Sequence, residues 1–326
     1  MPEIESRVQR AIAGNVFPGC VIGTVRKSGE REIFPFGHLT YEPDSPRVTE
    51  DTVYDLASVT KSIPVASLAL MFIAEGELRL SDAVTNYVPE LRNDHGATIE
   101  DLLRYRVRGP QLSTLRYKTY EEIRTHVFER GFDGPPGDEY YTNLPAFLLG
   151  IILERAGDAS LPVLAHRYFF EPLAMNSTTF FPSASDCAPT EIVDGEEIRG
   201  IVHDESARVF SRARRAVGHA GLFSTAPDIL NFLEALLQGR FPAIVDGGQK
   251  GLGWQLDQQW FMGKSAGPKT FGKTGFTGTS VVCDVERGIA FAILSNRTYP
   301  QRPPDAASIT SAINIFRSDI ADILFA

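Results

Sequence analysis

The chain has 326 residues, 43% hydrophobic and 22% charged. That is ordinary globular composition, long enough for one large domain or two interleaved ones. A net charge of −9, with only Arg212, Arg214 and Arg215 as a dense basic run that reads as a solvated loop or helix face, argues against a nucleic-acid partner.

The N-terminal residues MPEIESRVQRAIAG lack a basic start, an apolar run and a small-residue cleavage site. No 18-residue apolar stretch is read further on, so no membrane span is expected. The chain reads as cytoplasmic as it stands, or as periplasmic or secreted if a signal peptide was removed. The three cysteines, Cys20, Cys187 and Cys283, are far apart. They read as small buried hydrophobes rather than a zinc site or a disulfide framework.

In chain order, 3–14 reads as an amphipathic helix with Ile4, Val8, Ala11 and Ile12 on one side, broken by Pro18-Gly19. Residues 20–37 read as two strands around a Ser28-Gly29 turn. A buried helix is expected over 54–78, starting near Ser58, tolerating Pro64 in its early part and ending at Gly76. Apolar residues recur every three to four positions over 98–105, 120–131, 143–157 and 160–173, which predicts helices. Residues 176–217 read as irregular and polar. A strong helix is expected over 226–239, started by Ala226-Pro227-Asp228 and stopped by Gly239. The period then changes. Residues 273–286 and 288–296 read as a hairpin around Glu286-Arg287-Gly288, and a final helix is expected at about 305–325. Strands at both ends with helices between them predict an α+β fold. Its central antiparallel sheet is assembled from both termini, with flanking helices and a mostly helical insertion.

The stretch 267-GPKTFGKTG-275 fits two motifs. As G-x-x-x-x-G-K-[ST] it would cradle phosphates, which requires a helix directly after the lysine. The residues that follow are two glycines and a β-branched run, which favour a strand. As Lys273-Thr274-Gly275 it is instead the strand-borne triplet of penicillin-recognising serine enzymes. That motif calls for a Ser-x-x-Lys at a helix start, met by 58-SVTK-61, and for a Tyr-x-Asn between the two, met by 141-YTN-143. Each element alone is common, whereas the ordered trio is specific.

On these residues the chain resembles the class C β-lactamase and D-alanyl-D-alanine peptidase family of serine hydrolases, which also contains esterases. The likeness extends to 75-EGELRLSDAVTNYVPEL-91, 218-GHAGLFSTAPDIL-230 and 294-LSNRTYP-300. It implies a sheet domain made of residues 1–80 and 215–326, a mostly helical domain over 81–214, and an active site in the cleft between them. No metal or cofactor is implied.

The implied chemistry forms an acyl-enzyme on Ser58. Lys61, one helical turn away, or Tyr141 would take the Ser58 proton, and the residues leave that choice open. Lys61 and Lys273 would lower the Tyr141 pKa. Tyr140 competes with Tyr141 by type but is off the motif spacing. Asn143 would bind the substrate amide, hold Lys61 and cap the following helix. Lys273 would attract a substrate carboxylate, Thr274 would donate its hydroxyl, and Gly275 would clear space for substrate along the strand edge. The Ser58 and Phe276 N–H groups would form the oxyanion hole. His219 reads as structural rather than catalytic, and His203-Asp204-Glu205 as a surface loop rather than a metal site. The expected substrate is a small molecule or peptide bearing a carboxylate: a β-lactam, a D-Ala amide or a related ester. A carboxylesterase is the alternative of the same fold, and a non-catalytic penicillin-binding-like protein the alternative of another class. The text 105-YRVRGPQLST-114 departs from the His-Thr-Ser-Gly-Leu of many relatives, which changes one wall of the pocket.

Overall fold

The computed structural model describes residues 2–304 and 308–326. The chain opens with α1 (Pro2–Ala13), which buries Ile4, Val8 and Ala11. A hairpin of β1 (Gly19–Arg26) and β2 (Arg31–Gly37) follows. After β3 (Tyr54–Asp55) comes a tight 3-10 turn, Ala57–Lys61, and then α2 (Ser67–Glu75), ended by Gly76 with φ 83°. Capping boxes start α3 (Ile99–Leu103), through Thr98 and Asp101, and α4 (Tyr120–Arg130), through Thr119 and Glu122. Proline in the first turn marks α5 (Leu144–Ala156) and α6 (Leu161–Ala165). Next are the short hairpin β4 (Glu191–Val193) and β5 (Glu196–Ile198), and α7 (Glu205–Arg212). The chain continues through β6 (Phe223–Ser224), α8 (Ala226–Leu237), α9 (Pro242–Gly248), β7 (Gln255–Leu256) and α10 (Gln259–Met262). It closes with β8 (Phe271–Thr274), β9 (Ser280–Asp284), β10 (Ile289–Ser295) and α11 (Ala312–Phe325).

The main sheet has the order β2-β1-β10-β9-β8-β7, and each neighbouring pair is antiparallel. β1 therefore lies between its hairpin partner and the last strand, with Cys20 opposite Ser295 and Arg26 opposite Ile289. Alternation along β1 sorts its side chains onto two faces. Cys20 and Ile22 join Val8, Phe17, Phe316 and Ile320 under α1 and α11, while Val21 and Val25 join the larger core with Leu230 and Leu233 of α8. This is the α+β class expected, a central antiparallel sheet built from both chain ends with helices on both faces. The three cysteines are free and buried.

Five local expectations change. Pro64 is not tolerated within a continuous helix. Ile63 is driven to φ −113°, ψ 109°, and the helix breaks there, because proline's ring disfavours the helical region for the residue before it. The segment Ala57–Glu75, with a mean hydropathy of 1.6, is long and apolar enough to cross a membrane, contrary to the sequence reading. It is 78% buried within the molecule and reads as a core segment. Residues 176–217 are not wholly irregular: they hold the β4–β5 hairpin and α7, which Asp204 caps by accepting the Ala207 N–H. The strand expected over 273–286 is two strands. Lys273-Thr274 ends β8, and a turn closed by the Gly275 N–H on the Thr279 carbonyl reverses the chain into β9. Finally, α11 begins at Ala312, and residues 305–307 of the expected helix lie outside the described residues.

Candidate active site

The floor of the site is a short loop held by buried hydrogen bonds. Asp55 is fully buried and spends both carboxylate oxygens on backbone: one accepts the Ala57 N–H at 2.7 Å, the other the His203 N–H at 2.7 Å. The first bond fixes Ala57 at φ 46°, a left-handed conformation costly for a residue with a Cβ. That bend places Ser58 in the first turn of Ala57–Lys61. There the Val59 N–H bonds the Leu56 carbonyl, and the Ser58 N–H is one of the donors a helix start leaves over.

The turn after the triplet is fastened to the same loop. The Thr277 hydroxyl donates to the Asp55 carbonyl at 2.6 Å, and the Thr279 hydroxyl to the Leu56 carbonyl at 3.0 Å. Phe276 is thereby brought beside Ser58, and the two line one cleft. Gly275 is required for a different reason from the one expected. A Cβ there would collide with the Thr279 side chain and the Leu56 carbonyl, so the glycine lets the turn dock on the loop carrying Ser58.

Lys61 is 1% exposed. Its Nζ lies 2.8 Å from Ser58 Oγ and donates to the His219 carbonyl at 2.6 Å. Burial pushes its pKa down to about 7, against the negative charge of Asp204. A neutral amine keeps one lone pair, and Ser58 Oγ is within reach of it. Asp204 lies beneath. It accepts Asn143 Nδ2 at 3.0 Å, Ser206 Oγ at 2.7 Å and the Ala207 N–H, and its Oδ1 is 3.3 Å from His219 Nε2. Burial alone would raise its carboxyl, but His219 and these donors hold it well below the usual range. His203-Asp204-Glu205 is therefore not a surface loop, since both His203 and Asp204 line the cleft that contains Ser58. Asn143 does not cap α5 with its side chain, and its amide goes to Asp204 rather than to Lys61.

The opposite wall carries the second lysine. Lys273 is also 1% exposed, with Nζ 4.7 Å from the ring centres of both Tyr105 and Tyr141 and 3.2 Å from the Tyr105 hydroxyl, to which it donates. Burial, then the neighbouring Lys61, lowers its pKa well below the ordinary value, and Glu139 opposes this. Thr274 faces Gln255, whose Oε1 accepts the Thr274 N–H at 3.3 Å. The strand edge beside the triplet is thus already occupied by a side chain. Tyr141 is half exposed, and its ring packs 5.1 Å from that of Tyr105. Partial desolvation of the phenol raises its pKa against a hydrogen bond with Ser58, and the solvent that reaches half of the side chain moderates that rise. The lowering expected from the two lysines is not seen: desolvation and the nearby Asp204 charge act in the opposite direction. Tyr140 turns away and stacks under Arg108 at 4.6 Å.

Three clefts meet at Tyr141. One of about 560 Å³ runs past Tyr105, Glu139, Trp254 and Lys273; one of about 500 Å³ past Ser58, Phe276 and Arg317; and one of about 240 Å³ past Ser58, Asn143, His203 and Arg302. The fold thus gathers Ser58, Lys61, Tyr141, Asn143, Lys273, Thr274, Gly275 and Phe276 around one point. Four participants were not singled out in the sequence: Tyr105, Asp55, Thr277 and Thr279. Signals existed for them, in the departure at residue 105, in the acid three places before Ser58, and in the threonines directly after the triplet.

The chain also carries the G-x-S-x-G spacing of a nucleophile elbow, at 263-GKSAG-267. Ser265 is exposed in a turn that follows α10, and its N–H is held by Asp322. This is not the strand-to-helix turn that an elbow requires.

Comparison with known proteins gives the family and the fold. The Beta-lactamase family model matches residues 5–313. A putative D-alanyl-D-alanine carboxypeptidase of Escherichia coli K12 is 27% identical, over 79% of this chain and 73% of its own. The fold is shared with EstCE1, a hydrolase with promiscuous acyltransferase activity (TM-score 0.77, 19% identity, 100% of this chain and 98% of that one). A class C beta lactamase shares it too (TM-score 0.75, 16% identity, 98% and 97%). With the family model spanning nearly its whole length, the chain belongs to the beta-lactamase family and is a serine hydrolase of that family.

Proposed function

We propose that the protein hydrolyses an amide or ester through an acyl-enzyme on Ser58, with Lys61 as the general base. The observation that carries this reading is the contact between Ser58 Oγ and a buried amine 2.8 Å away, pushed down to about 7. In the first step Lys61 takes the Ser58 proton while Oγ bonds to the substrate carbonyl carbon. The oxyanion is received by the Ser58 and Phe276 N–H groups, each such donor contributing about 3 kcal/mol to the transition state. The leaving nitrogen or oxygen departs with a proton from Tyr141, a phenol that is protonated at neutral pH and lies beside Ser58. The proton on Lys61 then restores Tyr141. Water attacks the acyl group in a second step and Ser58 regains its proton. Asn143 and Thr274 would orient the substrate, with Gly275 holding the docked turn in place.

The substrate classes that fit are a β-lactam, a D-Ala amide or a related ester, bound in the cleft between residues 81–214 and the two segments 1–80 and 215–326. A carboxylate on the substrate would meet Lys273 only if the two tyrosine rings that cover the buried amine gave way. This occlusion favours a second reading, a carboxylesterase of the same fold acting on neutral esters.

Turnover of nitrocefin against p-nitrophenyl butyrate ranks the two readings. Labelling by a fluorescent penicillin or fluorophosphonate tests both against a silent binding protein. Label lost in Ser58→Ala is expected; no label on the wild-type chain, or label that persists in Ser58→Ala, would sink the hydrolytic reading.

A further inference from the structure

The basic run at Arg212, Arg214 and Arg215 plays no part in the site around Ser58, yet two of its members line a separate cavity. That cavity, of about 300 Å³, shares no lining residue with the three clefts around Tyr141. Its wall includes Phe147, Phe181, Phe210 and Val217, and its other lining side chains include Arg124, Arg214 and Arg215. Its size falls at the lower end of small-ligand sites, and an apolar wall with a few convergent polar groups is what such sites present.

The arginines are not spent on close ion pairs. Among the described residues, none of the three has a carboxylate within ion-pair distance. Each lies instead on an aromatic face: Arg214 on Phe181 at 4.5 Å, Arg215 on Tyr120 at 4.8 Å and Arg124 on Phe128 at 5.7 Å. Arg124 Nε is buried with no hydrogen-bond partner. Leaving a guanidinium N–H buried and unpaired costs free energy that a bound acceptor would recover. Glu154 is the acid in the lining: one of its oxygens accepts the Leu161 N–H, and it feels the charges of Arg124 and Arg215, with which a bound anion would have to compete. Arg155, also in the lining, is committed to Glu90.

We propose that this cavity is a second binding site, for a small monoanion with an aromatic or apolar body, such as an arylalkyl carboxylate. The ring would lie among the phenylalanines and the carboxylate would meet the guanidinium groups. The site abuts the catalytic machinery from behind. Gly150 and Gly218 bring their backbones into direct contact, with no room for a Cβ at either, and the next residue, His219, supplies the carbonyl that holds Lys61.

The test is calorimetric titration of the full chain with 4-phenylbutyrate, and with 4-phenylbutan-1-ol as its uncharged counterpart. Arg214→Asn/Arg215→Gln removes the exposed charges with no core change, and asparagine tolerates the positive φ at residue 214. Lys250→Gln removes a cation from the cleft beside Tyr105 instead. Saturable 1:1 binding of the carboxylate is expected, about tenfold weaker in the double variant and for the alcohol, and unchanged in Lys250→Gln. The proposal is overturned if the wild-type chain shows no saturable binding, if the double variant binds as tightly as wild type, if the alcohol matches the carboxylate, or if Lys250→Gln abolishes binding.

Discussion

Lys61 and Lys273 are equally buried and both lose proton affinity to burial, yet they sit in opposite kinds of surroundings. Lys61 stands over a backbone floor that side chains fasten, with the Tyr141 ring centre 5.5 Å away. Its acceptor is a main-chain carbonyl, and the loop beneath it is pinned by Asp55, Thr277 and Thr279. Lys273 is held by side chains, between two tyrosine rings and under one phenol, on the wall where the sequence departs from many relatives. Backbone-held geometry leaves little freedom for substitution, which suits a step that must place a proton within about 3 Å of its acceptor. Side-chain-held geometry changes with one residue, which suits selection among substrates.

The largest way to break the floor is to remove either group proposed to react. Ser58→Ala and Lys61→Met are each expected to lower kcat by about 10⁴-fold or more with the fold intact, read by hydrolysis alongside circular dichroism. An activity loss of less than tenfold in either would move the chemistry elsewhere.

The next effect is in pH. As the proposed base, Lys61 would act only when neutral, so kcat/KM should fall about tenfold per pH unit below a midpoint near 7. Stability carries the same sign. The lysine pKa is lower in the folded state than the 10.5 of the free side chain, so between about 7 and 10.5 the unfolded chain binds more protons. Stability therefore rises with pH across that window, and denaturant titrations should show a shallower rise in Lys61→Met.

Smaller effects come from loosening the floor. Thr277→Val and Thr279→Val keep shape but remove the hydroxyls that bind the two loops. A kcat loss of about 10–100-fold with KM nearly unchanged is expected, since the oxyanion donors lose alignment. Equal changes in kcat and KM would point to substrate contact instead.

The smallest effect sharpens the other side of the contrast. Tyr105→Phe removes the acceptor for Lys273 but leaves the ring. A hydrogen bond of this kind contributes about 1 kcal/mol, so the preference for carboxylate-bearing over neutral substrates should shift about fivefold in KM. Turnover of a neutral ester should be unaffected, and competition assays with paired substrates would read the difference.

The proposed site was legible in the sequence because its motifs are written locally. Ser58 and Lys61 are one turn apart, Tyr141 and Asn143 are two residues apart, and the triplet is contiguous. The same holds for helices that begin with Thr-x-x-Asp or Thr-x-x-Glu and for a strand hairpin that turns at Gly288. What periodicity misread lies where one residue overrides its neighbours. Pro64 breaks an otherwise helical run, and the Gly275–Thr279 closure splits one β-rich stretch into two strands.

The sequence alone determined the class of fold and pointed to the proposed reacting residues, because apolar spacing and short motifs act over a few residues. Only the tertiary structure decided which groups are charged and which are occupied. The drop in the Lys61 pKa, the rise in that of Tyr141, the Tyr105 cover on Lys273 and the burial of Asp204 all depend on desolvation and partners brought from distant parts of the chain. Those are properties of packing, and no local stretch of sequence contains them.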